Sequence, residues 1–96
     1  MEFEWDHGKY EANKLKHGVA FEEAVEAFDD PLAFRLSDAK HSTPREKREI
    51  LIGRAAAGVL LVVFTIRLSN RIRIISARRA SQKERKLYEE KKESSQ

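Results

Sequence analysis

Residues Val59 to Arg67 read Val-Leu-Leu-Val-Val-Phe-Thr-Ile-Arg, and no other stretch limits the fold as strongly. Nearly every position is apolar, so an extended strand here is apolar on both faces. Such a strand belongs at the centre of a sheet with a layer covering each side. Its apolar run, Val59 to Phe64, is far too short to cross a bilayer as a helix, which takes about 20 residues.

The neighbouring segments supply the rest of that sheet. Lys47 to Arg54 reads as a strand with Arg48, Ile50, Ile52 and Arg54 on one face. Ala55-Ala56-Ala57-Gly58 turns into the central strand, and Leu68-Ser69-Asn70 turns out of it into Arg71 to Arg78. Turns this short make the last three strands an antiparallel meander. Leu32 to Leu36 is a weaker fourth strand, separated from the others by a polar loop, Ser37 to Glu46, that contains Pro44.

Helices are expected on either side of this block. Lys9 to His17 reads as a helix with Ala12 and Leu15 one turn apart and Gly18 as its left-handed stop. Phe21, Ala24, Val25 and Phe28 form one apolar stripe at helical spacing, and Asp29-Asp30-Pro31 ends it. Ser81 and Glu84 have capping-box spacing and open a last, mostly polar helix in which only Leu87 and Tyr88 are apolar. Phe3 to Trp5 is a short strand or an apolar anchor. The chain therefore reads as α+β: two N-terminal helices, an antiparallel sheet of about four strands and a C-terminal helix. Its 96 residues form a single domain with one modest core, and residues 91 to 96 are a frayed polar tail.

Charge and composition narrow the function. Residues 1 to 31 carry three Lys/Arg against nine Asp/Glu, a net −6, whereas residues 67 to 96 carry ten against four, a net +6. A basic back half suits a polyanion, unless the two ends simply attract each other. There is no cysteine, so neither disulfides nor a thiolate metal site are available. The acidic start lacks the pattern of a secretory signal, and the expectation is a soluble cytoplasmic protein without membrane contact or cofactor.

No histidine pair has metal-ligand spacing, and the glycines stand singly rather than in a phosphate-cradling loop. A surplus of Arg and Lys, three His and two Tyr remain. Those parts suffice for metal-free RNA cleavage, with proton transfer at the 2′-hydroxyl and at the leaving oxygen and cations around the phosphate. The guanidinium fork matches phosphate oxygens, which favours Arg73, Arg48 and Arg78. The plainer alternative is an edge strand kept soluble by arginine. Strand alternation puts Arg71, Arg73 and Arg79 on one face and Arg78 on the other, unless a bulge turns it. His41, in the polar loop beside Lys40, is the candidate proton-transfer group. Tyr88 is a weaker one, with packing the safer reading. His17 reads as a cap on helix carbonyls and Trp5 as a core anchor.

These same residues carry a resemblance. Phe3-Glu4-Trp5-Asp6, Lys9, Asn13 and Lys16-His17-Gly18, then Val19 with Phe21-Glu22-Glu23-Ala24, resemble the opening of the BrnT toxins of bacterial type II toxin–antitoxin modules. Asp30-Pro31, Asp38, His41-Ser42, Glu46, Arg48 and Ile52-Gly53-Arg54 resemble the middle of that family. Arg73-Ile74-Ile75-Ser76-Ala77-Arg78, Ala80, Glu84-Arg85 and Tyr88-Glu89 resemble its close. Ala20 departs from the usual Ser or Thr, and Lys40 and Arg45 stand where acids are common. The resemblance implies a fold similar to the RelE-type ribonucleases and RNA cleavage that arrests translation, and the lack of a visible metal-ligand cluster makes the expected endoribonuclease metal-independent. It also implies neutralisation by a BrnA-like antitoxin, in a 2:2 complex that reaches operator DNA only through the antitoxin. Arg71, Arg79, Lys83 and Lys9 are the expected RNA contacts beside the catalytic candidates Arg73, Arg48, His41, Arg78 and Tyr88. The rival readings are a non-catalytic nucleic-acid-binding or transcriptional accessory protein, and a subunit whose basic face serves an acidic protein. Too few helices are available to cover both faces of the central strand, so part of one face is expected to lie open.

Overall fold

The computed structural model describes residues 1–94. In chain order its elements are β1 (Phe3–Trp5), α1 (His7–His17), α2 (Phe21–Phe28), β2 (Phe34–Ser37), β3 (Arg48–Ala55), β4 (Gly58–Arg67), β5 (Arg71–Arg79) and α3 (Gln82–Ser94). Single 3₁₀ turns occupy Ala39–His41 and Leu68–Asn70. The strands form one sheet in the order β1-β5-β4-β3-β2. Strand β4 is central, as its two apolar faces require.

The expected antiparallel sheet of about four strands is corrected to a mixed sheet of five. Strand β1 is the addition, and it runs parallel to β5 with Phe3 opposite Ile72 and Trp5 opposite Ile74. Backbone pairing is joined by charge, since Arg73 donates to Glu4 at 3.0 Å and Arg71 to Glu2 at 3.4 Å. The acidic front and the basic back thus do attract each other at this sheet edge. Helix α3 continues through Ser94, so the tail expected from Lys91 onward is helical that far; residues 95 and 96 lie outside the described residues.

Local chemistry explains the helix ends. Asp6 caps α1, its Oδ2 accepting the Lys9 N–H at 2.9 Å, which starts the helix at His7 rather than Lys9. Gly18 adopts φ 69° and its N–H donates to the Lys14 carbonyl at 2.9 Å. Ala20 offers α2 no side-chain acceptor. Half of a capping box survives, with Glu23 accepting the Ala20 N–H at 3.2 Å.

Helices α1 and α2 cover one face of the sheet. Phe21, Ala24 and Ala27 are fully buried there against Leu60, Val62, Phe64, Ile74 and Ala77. Helix α2 lies so close to β3 that a Cβ on Gly53 would come within 2.8 Å of the Ala27 carbonyl oxygen. Trp5 stacks on Tyr10 and meets Phe21 edge-on, the core anchor its sequence position suggests.

The other face is covered by α3 through Tyr88, which packs against Ile52, Val59 and Leu61. The Tyr88 hydroxyl donates to Asp30 Oδ2 at 2.6 Å, and Asp30 also accepts the N–H groups of Leu32 and Arg54. Burial, with the bond to Asp30, holds the Tyr88 phenol above its ordinary pKa. Burial alone would raise the Asp30 carboxyl too, but the three donated bonds outweigh it and leave Asp30 below its usual range. Ile50 and Val63, further along this face, are only half-buried.

One irregularity decides which arginines share that open face. Val63 pairs with Ser76 but Phe64 pairs with Ile74, so Ile75 is an extra residue in β5. Beyond it the alternation is reset. Ser76 and Arg78 join the face that carries Thr65 and Arg73, while Ala77 and Arg79 turn to the α1–α2 side. Arg79 therefore does not share a face with Arg73, and Arg78 does.

Candidate active site

The uncovered part of the α3 face is a cleft of about 510 Å³. Its floor is Ile50, Leu61 and Val63. Its walls carry Lys16 and His17 from the end of α1, Asp38 and His41 from the 3₁₀ turn, Arg48 from β3, Ser76 and Arg78 from β5, and Glu84 from α3. Three Lys/Arg and two His thus face two carboxylates, over an apolar floor whose low polarability strengthens each charge.

The 3₁₀ turn is held on β3 by one hydroxyl. Ser42 Oγ donates to the Asp38 carbonyl at 2.7 Å and accepts the Arg48 N–H at 2.9 Å. The Asp38 N–H in turn donates to the Arg48 carbonyl at 2.9 Å. This clamp fixes His41 relative to Arg48 although the surrounding loop is polar. His41 Nδ1 lies 3.0 Å from Asp38 Oδ1 and 3.1 Å from Oδ2. With Nδ1 bound to the carboxylate, Nε2 is the nitrogen left to act elsewhere.

Arg48 uses its Nε to bind Glu46 at 2.9 Å, and its two terminal nitrogens have no protein partner among the described residues. They are free to form a fork toward a phosphate. Arg78 is engaged differently. Its Nη1 and Nη2 donate to the two oxygens of Glu84 at 2.8 and 2.9 Å. Glu84 also accepts the Ser81 N–H at 2.8 Å, while its own N–H donates to Ser81 Oγ. The arginine, more than the capping bonds, holds the Glu84 carboxyl down at about 2, and Glu84 pushes the Arg78 guanidinium above its ordinary value.

That pairing has a pH signature. The folded Glu84 resists protonation more than the unfolded chain does, so its stabilisation is complete above the ordinary value of 4.5 and is lost as pH falls toward about 2. Glu84→Gln is expected to lower unfolding stability at pH 7 by about 1 kcal/mol, the scale of a partly exposed ion pair joined to a helix cap. The gap to wild type should close in denaturation series taken down to pH 2.5. A gap that persists unchanged in acid would show that the carboxylate charge is not its source.

The sequence candidates separate cleanly. His41, Arg48 and Arg78 come together in the cleft. Arg73 does not line it and is bound to Glu4, and Arg71 is bound to Glu2 and Glu4. Tyr88 is 1% exposed and tied to Asp30, so it is packing rather than a reactive group. Lys9 lines a shallow depression that shares Lys16, His17 and Ser76 with the cleft. Lys83 is exposed on α3, and Arg79 lies on the opposite face of the sheet from Arg78. Sequence reasoning gave Asp38 no role beside His41, although a carboxylate three residues before a histidine in a turn was a readable signal. It also assigned His17 to helix capping, where the structure uses Gly18.

A family model described as "Ribonuclease toxin, BrnT, of type II toxin-antitoxin system" matches residues 5–84. Among solved structures, the crystal structure of the Brucella abortus ribonuclease toxin BrnT is similar to this chain, with a TM-score of 0.64 and 26% sequence identity. That similarity covers 85% of this chain and 99% of the Brucella chain. None of the curated proteins matches the sequence.

Proposed function

Because the chain belongs to the BrnT ribonuclease toxins of type II toxin–antitoxin systems, we propose that it is a metal-independent endoribonuclease whose chemistry takes place in the cleft between α1, the 3₁₀ turn and α3. The observation that carries this reading is the Asp38–His41 pair held beside Arg48 on one sheet face with Arg78. His41 Nε2 takes the proton of the RNA 2′-hydroxyl, and Asp38 orients the ring and stabilises the imidazolium that forms. The terminal nitrogens of Arg48 bind the phosphate. Arg78 and Lys16, which line the same cleft, offset the charge that builds on phosphorus oxygens as the 2′ oxygen attacks. Lys9 and Lys83 supply further backbone contacts along the strand of RNA. The fold is a relative of the RelE-type ribonucleases, and cleavage of RNA in the cytoplasm arrests translation.

Type II membership implies an antitoxin. We take it to be BrnA-like, to form a 2:2 complex, and to lay an acidic, apolar segment over the cleft and its half-buried floor. Charge complementarity then speeds association, and DNA is bound only by the antitoxin part. One experiment addresses enzyme and inhibitor together. The purified chain in buffer with excess EDTA is expected to cut RNA, leaving 2′,3′-cyclic phosphate ends, and stoichiometric antitoxin is expected to stop it. Loss of cleavage in chelator, restored by a divalent ion, would defeat the metal-independent reading. Undiminished cleavage in the complex would defeat inhibition by covering.

A further inference from the structure

Cleavage by 2′-hydroxyl attack needs two proton transfers, and the cleft contains a second imidazole. His17 ends α1, but the helix C-terminus is closed by the Gly18 N–H on the Lys14 carbonyl, so capping does not occupy it. The His17 ring has no hydrogen-bond partner among the described residues, is half-buried, and lines the same cleft as His41. The two histidines come from different segments, α1 and the 3₁₀ turn, on walls that also carry Lys16, Arg48 and Arg78. Their bonding differs. His41 is bound to a carboxylate, which favours accepting a proton. His17 has no carboxylate bound to its ring, so both ring nitrogens are available to a substrate oxygen.

We propose that His17 is a catalytic residue of this protein, the general acid that protonates the departing 5′ oxygen of RNA. The assignment rests on the ribonuclease reading of the cleft and adds the second half of its proton balance. His41 removes the 2′-hydroxyl proton, the bond from O2′ to phosphorus forms, and the bond from phosphorus to O5′ breaks. The electron pair that leaves with O5′ takes the proton of His17. The products are a 2′,3′-cyclic phosphate and a 5′-hydroxyl, with no other reactant consumed. The two histidines then re-equilibrate their protons with solvent.

The test uses two RNA oligonucleotides of one sequence, the second carrying sulfur in place of O5′ at the cleaved link. A thiolate leaves without being protonated, so only the natural link needs the acid. His17→Ala and His17→Gln, each checked for native circular dichroism, are expected to lose about 10²–10⁴-fold in kcat/KM on the natural link. On the sulfur link they should come within about tenfold of wild type, whereas His41→Ala should stay impaired on both. Equal losses on the two links, or no loss on the natural one, would overturn the role of His17. Failure of the wild type to cut either link would overturn the ribonuclease reading, and the assignment with it.

Discussion

Arg78→Ala and Arg48→Ala are each expected to cut RNA cleavage by about 10²–10³-fold, the cost of removing one preorganised charge from a forming phosphorane. Arg73→Ala is expected to leave cleavage within a few-fold of wild type. The contrast follows from placement. Arg48 and Arg78 line the cleft, and Arg48 has two uncommitted terminal nitrogens. Arg73 spends its guanidinium on Glu4 at 3.0 Å, outside the cleft lining. Arg78→Lys should also be impaired, because a lysine keeps the charge but cannot engage Glu84 and a phosphate with a planar fork. Single-turnover rates on one oligonucleotide, with folding confirmed by circular dichroism, decide the matter. An inactive Arg73→Ala beside an active Arg78→Ala would move the chemistry to the β1–β5 edge.

Asn13→Ala is expected to cost about 3 kcal/mol of stability, enough to lower the melting temperature of a chain this small by roughly 15 °C. Asn13 is 6% exposed and makes three hydrogen bonds. Its Nδ2 donates to the Val19 carbonyl at 3.0 Å and to the Ala77 carbonyl at 2.8 Å, and its Oδ1 accepts the Ala77 N–H at 3.0 Å. Strand β1 pairs with β5 only from Ile72 to Ile74. Beyond the bulge at Ile75 the side-chain amide of Asn13 takes the place of the missing strand for Ala77. Alanine leaves a buried N–H and two carbonyls without this partner. Asn13→Asp should fail too, since it keeps the acceptor but sets an oxygen against carbonyl oxygens. Urea denaturation measures both, and a loss under 1 kcal/mol for Asn13→Ala would mean that water replaces the amide freely.

The sheet was legible where chemistry repeats. The alternation of Arg48, Ile50, Ile52 and Arg54, the doubly apolar β4 and the Phe21–Phe28 stripe each announce their element within a few residues. What failed to show depended on partners distant in the chain. Strand β1 has three residues and no pattern of its own, and only β5, some seventy residues later, makes it a strand. The bulge at Ile75 has no glycine or proline to mark it, yet it decides that Arg78 and not Arg79 faces the cleft. Strict alternation accordingly misplaced both. His41 and Arg48 were visible as residue types, but the Ser42 clamp that joins them is a side-chain hydroxyl bridging the Asp38 carbonyl and the Arg48 N–H, which residue types alone do not show. Tyr88 was readable as packing from its place in a mostly polar helix, but its hydroxyl's partner Asp30, fifty-eight residues earlier, is shown by no local spacing.

The parallel pairing of β1 with β5 also sets an order of events during synthesis. β1 is synthesised about seventy residues before its partner, so it has no strand to join until residues 72 to 74 have been added, several seconds later at roughly 5–20 residues per second, and are free to fold. Throughout that interval the apolar stripe of α2 lacks part of the sheet that buries it. The cleft is completed later still, because two of its walls are Arg78 and Glu84. A nascent chain that has not yet presented those residues carries His41 and Arg48 without the rest of the groove, so the proposed site is assembled only after β5 and the start of α3 are free to fold.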